Sequence, residues 1–248
     1  MGKRQAFLGL LVSGVMTLGL AACGDDNDSD NSDSNGPDDA TAADEEIDPA
    51  DFQAEVTNPY FAQPAGLSRA FEGEEDGVLI RVEETVLEEA ETVAGVETTI
   101  LEVNEYEDGE LVEHTLDYYA QHVDGSVYYF GEDVDNYEDG ELVDHEGTWH
   151  AGEDGALPGV YMPADPEVGD QFEQERAPGI AEDESEIIEV GLTVETEAGS
   201  FEDCIKTEDY APLDDVTENK YYCPDVGLVR EESEDGVFLD LVDSLALG

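Results

Sequence analysis

The residues best suited to binding a metal ion are four histidines, all of which lie between positions 114 and 150. Imidazole nitrogens, helped by carboxylate oxygens, suit zinc and other transition metals. His114 and His145 lead this hypothesis because each follows a valine at the same place in a repeated segment, and His122 or His150 would add a third ligand. The alternative is that the histidines lie at a sheet edge, in the core or on loops. The absence of a His-x-His or His-Glu-x-x-His spacing favours that alternative.

Two cysteines, Cys204 and Cys223, are spaced to form a disulfide. They flank a predicted hairpin formed by residues 201–207 and 219–229, so a bridge across it is geometrically plausible. Closing a loop of this size would stabilise the fold by about 3 kcal/mol. Reactive thiols are the weaker alternative, because the surrounding acids raise the pKa of a thiol.

Catalytic chemistry has little support in the sequence. The chain contains no Gly-x-Ser-x-Gly elbow, no glycine-rich phosphate loop and no metalloprotease helix motif. Paired carboxylates can hydrolyse glycosides. With 67 acidic residues, however, such pairs arise in any cleft by chance. We therefore expect a protein that is not an enzyme and that needs no cofactor.

A glycine- and proline-rich stretch, residues 147–169, holds the only tryptophan and interrupts the strand pattern. Long connections of this kind often serve as binding loops, and the alternative is a plug that closes one end of the sheet. Neighbouring aromatic runs place rings on both faces of their strands, so one ring of each run should face the core. The residues that we assign to a ligand-binding surface are Tyr119, Tyr129, Trp149, Tyr161 and Met162.

The elements that position these residues are strands. Short runs of Val, Ile, Thr, Tyr and Phe alternate with acids and end at Asp-Gly pairs, which tolerate the positive φ of tight hairpin turns. The segment Tyr106–His114 returns almost unchanged as Tyr137–His145, and each copy reads as a strand end, a turn and a return strand. We predict one mainly β domain over residues 52–248, an antiparallel meander curled into a barrel or half-barrel.

The charge of the chain excludes some partners. Its 67 acids and 8 basic residues give a formal net charge of -59. Such a surface repels the phosphates of nucleic acids and anionic lipid headgroups. Adaptation to high salt explains the acidity most simply, because screening removes most self-repulsion there. A cation-binding surface is the alternative.

The N-terminus carries a targeting signal. Lys3 and Arg4 precede an apolar run, and residues 1–22 are typical of a signal peptide. The sequence Leu-Ala-Ala-Cys-Gly at 20–24 resembles the bacterial lipobox, which implies cleavage before Cys23 and attachment of lipid to it. Residues 23–51 are rich in Asp, Asn, Ser and Ala, with almost no apolar residue, and predict a disordered acidic linker.

Several segments of the body resemble a family of secreted bacterial lipoproteins and hypothetical proteins that have no established activity. The resemblance extends from Asn58 to Val229 and names no catalytic residue. The resembling segments are Asn58–Phe61, Leu116–Gln121, Val127–Glu132, Gly147–Gly152, Pro158–Gly159, Met162–Ala164 and Tyr221–Val229.

These features predict a lipoprotein of the cell envelope, anchored in the membrane on its extracytoplasmic side. We expect a non-catalytic binding or envelope-structural module, whose partners are the lipid bilayer and a small apolar ligand or an envelope protein. The alternatives are a carrier that holds an apolar ligand inside a curled sheet and a cation-binding surface protein. A weaker likeness to half-barrel lipoproteins that carry lipids rests on fold analogy alone.

Overall fold

The computed structural model describes residues 47–75, 77–233 and 238–246. The signal peptide, Cys23 and most of the linker lie outside these ranges. Within them, one 3-10 turn, Pro49–Asp51, precedes a set of strands, and no helix is long and apolar enough to cross a membrane. The strands are β1 (Phe52–Gln53), β2 (Leu67–Glu75), β3 (Val78–Val93), β4 (Val96–Glu107), β5 (Glu110–His122), β6 (Val127–Glu138), β7 (Glu141–Asp144), β8 (Trp149–His150), β9 (Leu157–Met162), β10 (Gln171–Glu173), β11 (Glu175–Arg176), β12 (Glu184–Thr196), β13 (Gly199–Ala211), β14 (Val216–Cys223), β15 (Gly227–Ser233) and β16 (Phe238–Ala246).

The long strands follow one another around a barrel in their chain order. From β2 to β6 each strand pairs antiparallel with the next, and β6 pairs with β9. A second meander runs from β12 to β16. The last strand, β16, pairs antiparallel with β2, and Leu241 lies opposite Phe71. This pairing joins the two meanders, and the predicted antiparallel barrel is confirmed.

The barrel has one unsealed seam, which a short segment bridges. Strand β10 pairs with β12, whereas β11, one residue further along the chain, pairs with β9. The residue between them, Gln174, donates its backbone N–H to the carbonyl of Asp183. A Cβ added to Gly159 of β9 would lie 2.2 Å from the carbonyl oxygen of Gln174. Only glycine therefore lets the backbones approach at this seam.

The repeated segment forms two equivalent hairpins, as predicted. The first copy turns between β4 and β5, and the second turns between β6 and β7. Asp108 and Gly109 have φ of 49° and 85°, and Asp139 and Gly140 have φ of 53° and 77°. Two successive positive φ values are typical of the type I′ turn that fits the twist of a hairpin.

Residues 54–66 cross one end of the barrel. Asn58 donates its side-chain amide to the carbonyls of Gly125 and Pro163, and Gln121 Oε1 accepts the backbone N–H of Asn58. The Phe61 ring enters the barrel, and its centroid lies 4.9 Å from that of Tyr119. This segment therefore closes that end of the barrel.

The predicted disulfide is confirmed. Cys204 and Cys223 are bonded across β13 and β14, with their Cα atoms 4.1 Å apart. The pairing of these two strands runs from Ile205 opposite Tyr222 to Ala211 opposite Val216. On the other side of the disulfide β13 continues to pair with β12 but no longer with β14, so the bond lies where β13 separates from β14.

Two expectations need correction. The stretch 147–169 is not a structureless connection, because it contains β8 and β9, both of which pair with β6. The ordered domain also begins before Phe52, since Asp48 caps the turn Pro49–Asp51 and Ile47 packs against the core. In 147–169, proline and glycine interrupt the strand pattern, so the short strands could not be predicted. Before Phe52, acidic residues surround Ile47, so its packing against the core could not be predicted.

Replacing Gly159 with alanine tests the close approach at the seam. We expect a loss of about 3 kcal/mol or more in the free energy of unfolding, because the added methyl meets the backbone of the bridging segment. Gly140→Ala is the matched control: nothing lies within 4 Å of its added Cβ, so only its positive φ costs stability, by about 1 kcal/mol. Urea unfolding followed by circular dichroism measures both, and equal losses would contradict the steric explanation.

Candidate functional site in the barrel interior

The five residues assigned to a ligand-binding surface come together, but they lie inside the barrel. The rings of Tyr119 and Tyr129 stack with centroids 4.7 Å apart. Trp149 meets Tyr129 edge-on at 5.4 Å, and Tyr161 meets Tyr119 at 5.0 Å. Met162 has no exposed surface, and Trp149 keeps 3%. Tyr119, Tyr129, Trp149 and Met162 therefore pack as core, and Tyr161 is partly buried against the core, which agrees with the plug interpretation of 147–169.

The two repeat-related histidines lie on the outer face of the barrel, on either side of Asp135. His145 Nδ1 is 2.7 Å from one oxygen of Asp135, and His114 Nδ1 is 3.8 Å from the other. Among the described residues, no three histidine, cysteine or carboxylate side chains are arranged to hold a metal ion. The metal site stays a prediction. The other two histidines contact different carboxylates: His122 contacts Asp124, and His150 contacts Asp133.

The most unusual chemistry of the molecule is a set of carboxylates inside the barrel. Antiparallel partners point to the same side of a sheet, so register places acids of neighbouring strands together in the interior. Within the described ranges, seven acidic residues have at most 7% of their surface exposed to solvent, which is rare for residues of this type. They are Glu84, Glu105, Asp117, Glu132, Glu175, Asp209 and Glu231.

Arg69 is the first of two cations that face these acids. Its Nε lies 2.6 Å from Glu84 Oε2, with the two side chains 1% and 6% exposed. The guanidinium also donates to Gln63 Oε1 and to the carbonyl of Val226, at 3.2 Å and 3.1 Å. It thereby joins β2 and β3 to the segment that crosses the barrel end and to the β14–β15 turn. Removing one partner of such a buried pair costs about 3–5 kcal/mol.

Lys220 is the second cation. Its Nζ lies 3.3 Å from Asp209 Oδ2 and 3.9 Å from Glu231 Oε1, and its side chain is 12% exposed. The other oxygen of Asp209 accepts a hydrogen bond of 2.6 Å from Ser185 Oγ. Three neighbouring strands, β13, β14 and β15, thus place one amine between two carboxyl groups.

Asp117 and Glu132 form a pair without a cation. They are register partners on β5 and β6, 0% and 1% exposed. Tyr129 donates to Asp117 Oδ1 at 2.9 Å. Asp117 Oδ2 and Glu132 Oε2 have no hydrogen-bond partner among the described residues. Two buried carboxylates without a counter-ion cannot both stay charged.

Burial is therefore the main cause of the pKa shifts in the interior. It raises the pKa of Asp117 to about 8, against the hydrogen bond from Tyr129, and the charge of Glu84 raises it further. Burial and then the charge of Glu175 raise the pKa of Glu132 well above its ordinary range. These carboxyl groups hold protons at neutral pH.

The space left inside the barrel is small. A cavity of about 20 Å³ lies among side chains from β2, β3, β4, β5, β9, β14 and β15. That volume holds about one water molecule. Its polar lining includes Arg69, Glu84, Asp117, Lys220 and Glu231.

A larger groove of about 570 Å³ lies on the outer wall. It runs along residues 192–195 of β12, and Tyr221 and Arg230 form its floor. Arg230 is held there by Asp240, at 2.7 Å, and by the carbonyl of Glu195, at 3.2 Å. The groove is open to solvent and combines an aromatic ring, apolar side chains and a guanidinium.

Sequence reasoning missed the interior cluster, although one signal was present. Among the few basic residues, Arg69 lies between Leu67 and Phe71 at strand spacing, and Lys220 lies two residues before Tyr222. Period-two alternation assigns both cations to the apolar, inward face of their strands. A cation that shares a face with core residues indicates a buried acid as its partner.

The pH dependence of stability tests the buried acids. In the unfolded chain Asp117 titrates near 3.8, and in the fold near 8. Between these values the folded state binds more protons, so the free energy of unfolding falls as pH rises. We expect Asp117→Asn to reduce this fall by up to about 1.4 kcal/mol per pH unit.

Urea unfolding at constant ionic strength, from about pH 5 to about pH 8, measures this slope. Asp124→Asn is the control, because Asp124 is largely exposed and its pKa is lowered, so it does not titrate in this window. Equal slopes in the wild type and in Asp117→Asn would show that Asp117 is not protonated in the fold.

No protein-family model, curated protein or solved structure matches this chain.

Proposed function

We propose that the protein is a lipid-anchored module of the cell envelope that binds a partner, or has a structural role, without catalysing a reaction. The lipobox-like segment before Cys23 supports the anchor, and the acidic residues after it supply a spacer. Membership of the lipoprotein family resembled by Asn58–Val229 is part of this proposal.

The packing of the barrel interior is the observation that favours a binding module over a carrier. Sites for small molecules have volumes of about 300–1,000 Å³ and are mostly apolar, whereas the cavity among the interior charged groups has a volume of about 20 Å³. An apolar cargo would have to displace Phe61 and the stacked tyrosines, and it would meet unpaired carboxyl groups. The filled barrel favours a rigid body that meets its partner on its outer wall over a carrier.

The outer groove is the surface that we assign to partner binding. Its volume falls within the range of specific sites, and its tyrosine and arginine are residue types that dominate binding energy at interfaces. Lys206 stacks on the Tyr221 ring at 5.1 Å, so this wall also gathers two of the few cations. An envelope protein with an apolar and acidic segment fits this chemistry.

Catalysis is disfavoured by the position of the perturbed acids. Active sites place groups with shifted pKa values in clefts that substrate can reach. Here Asp117 and Glu132 are 0% and 1% exposed, so neither carboxyl group lies at the surface.

Labelling cells with radioactive palmitate tests the anchor. The wild-type chain should incorporate label and fractionate with membranes, whereas Cys23→Ser should lose both properties, because the thioether to lipid requires a thiol. Cys204→Ser is the matched control and should remain labelled. Equal labelling of Cys23→Ser and the wild type would refute the anchor.

Native mass spectrometry of the soluble region 47–248, purified from its own host, tests the carrier alternative. We expect the mass of the chain without any bound molecule. The disulfide lowers this mass by two hydrogens relative to the reduced chain. An adduct of several hundred daltons that is lost on denaturation would instead identify a carrier and its class of cargo. Tyr221→Ala should leave this result unchanged, since Tyr221 faces the outer groove.

A further inference from the structure

Lys220 and Asp209 place an amine beside a carboxyl group, and these two groups can react with each other. An amine at 3.3 Å from a carboxylate oxygen is close enough for its nitrogen to reach the carboxyl carbon after a small rotation. The Asp209 carboxyl is 6% exposed and is fixed by Ser185 Oγ through its other oxygen. A third group, Glu231, lies 3.9 Å from the same nitrogen.

We propose that Lys220 Nζ and the side-chain carboxyl of Asp209 are joined in the mature protein by an amide bond, formed within the folded chain. The bond would link β13 to β14 through the barrel interior. The proposal rests on the placement of amine, acceptor carboxyl and a second carboxyl by three adjacent strands.

The reaction balances without any added reagent. Burial lowers the pKa of Lys220, but the charges of Asp209 and Glu231 raise it well above its ordinary range, so the ammonium is the starting form. It first passes one proton to Asp209 Oδ2 across their contact, which leaves an amine and a carboxylic acid. The nitrogen lone pair then forms a bond to Asp209 Cγ. One C–O bond breaks as a second proton moves from nitrogen to the departing hydroxyl. The products are a neutral amide and one water.

Glu231 is positioned to relay the second proton. Its carboxyl can give a proton from one oxygen to the departing hydroxyl and take the proton of the nitrogen on the other, so it ends as it began. Burial raises the pKa of Glu231 well above its ordinary range, although the charge of Lys220 opposes the shift. The acid form that the relay requires is therefore present at neutral pH.

The surroundings favour the amide over the ion pair. A buried ion pair pays a large desolvation cost, and an amide removes both charges. Hydrolysis needs bulk water at the bond, and the Lys220 and Asp209 side chains are only 12% and 6% exposed. The released water has room in the cavity of about 20 Å³, which Lys220 and Glu231 both line. The neighbouring Arg69–Glu84 pair cannot react in this way, because a guanidinium stays protonated.

Tryptic digestion of the full chain from its own host, after denaturation and reduction, tests the proposal directly. Trypsin does not cleave after an acylated lysine, so the expected peptide is 207–230, uncut at Lys220 and one water lighter than its sequence. Backbone fragments between Asp209 and Lys220 should be absent from its spectrum, because the bond closes that segment into a ring.

Three results would overturn the proposal. The first is a peptide 207–220 of full mass that ends in free Lys220. The second is a branch from Lys220 to residues 231–248, which would make Glu231 the acceptor. The third is a water loss located at an Asp-Gly pair, where succinimide forms; residues 207–230 contain no such pair.

Single substitutions test Lys220 as the reacting amine and Glu231 as the proton relay. Lys220→Arg keeps the charge and should restore the full mass, and Glu231→Gln should lower the bonded fraction at least tenfold while circular dichroism stays unchanged. Lys206→Arg is the matched control: Lys206 faces Glu232 at 3.7 Å on the outer wall, where the carboxylate is 28% exposed. Its mass deficit should equal that of the wild type. If Lys220→Arg fails to fold, the digest of the wild-type chain still decides.

Discussion

The burial of charge inside the barrel is the constraint on which the rest of the structure depends. The chain has few basic residues, and it places Arg69 and Lys220 among the interior carboxyl groups. Lys220 contacts acids on the two strands that flank its own, whereas Arg69 contacts segments that are distant in sequence. Arg69 connects the start of the meander to the β14–β15 turn, which stabilises the closure that β16 completes with β2.

The remaining interior acids follow from the same shortage of cations. Asp117 and Glu132 have no basic partner, so a proton takes the place of a counter-ion and the groups stay neutral. A neutral carboxyl costs far less to bury than a carboxylate. On the outer surface, by contrast, the acids are solvated and charged, and added salt screens their repulsion. The same residue types thus act as protonated core groups inside and as charged solvating groups outside.

The sequence predicted the fold better than the site. Alternation, Asp-Gly turns and the repeat at Tyr106 and Tyr137 were sufficient for an antiparallel barrel, because each is a local property. The disulfide could be predicted because its two cysteines flank one hairpin.

Two other features could not be predicted from local patterns. The pairing of β10 and β11 with opposite sides of the seam depends on contacts far apart in the chain. The partner of Lys220 depends on which acid of many lies diagonally across the neighbouring strand.

The position of the aromatic cluster could not be predicted, for a different reason. Tyr119, Tyr129, Trp149, Tyr161 and Met162 were grouped correctly, and they do form one cluster. Whether an aromatic cluster is core or surface depends on what covers it, however, and here residues 54–66 insert Phe61 against it. That segment has little apolar periodicity, and its position is fixed by Asn58 and Gln121 through hydrogen bonds that no hydropathy pattern reveals.

The β13–β14 hairpin concentrates the strongest restraints of the molecule. The Cys204–Cys223 bond lies at the point where β13 separates from β14, and Lys220 with Asp209 lies further along the same pair of strands, on the inward side. The outer groove lies against this hairpin, with Tyr221 between the disulfide and Lys220 in the sequence. Restraints on both sides of Tyr221 hold that side of the groove in one arrangement. For the partner binding that we propose, a fixed surface lowers the entropy lost on association.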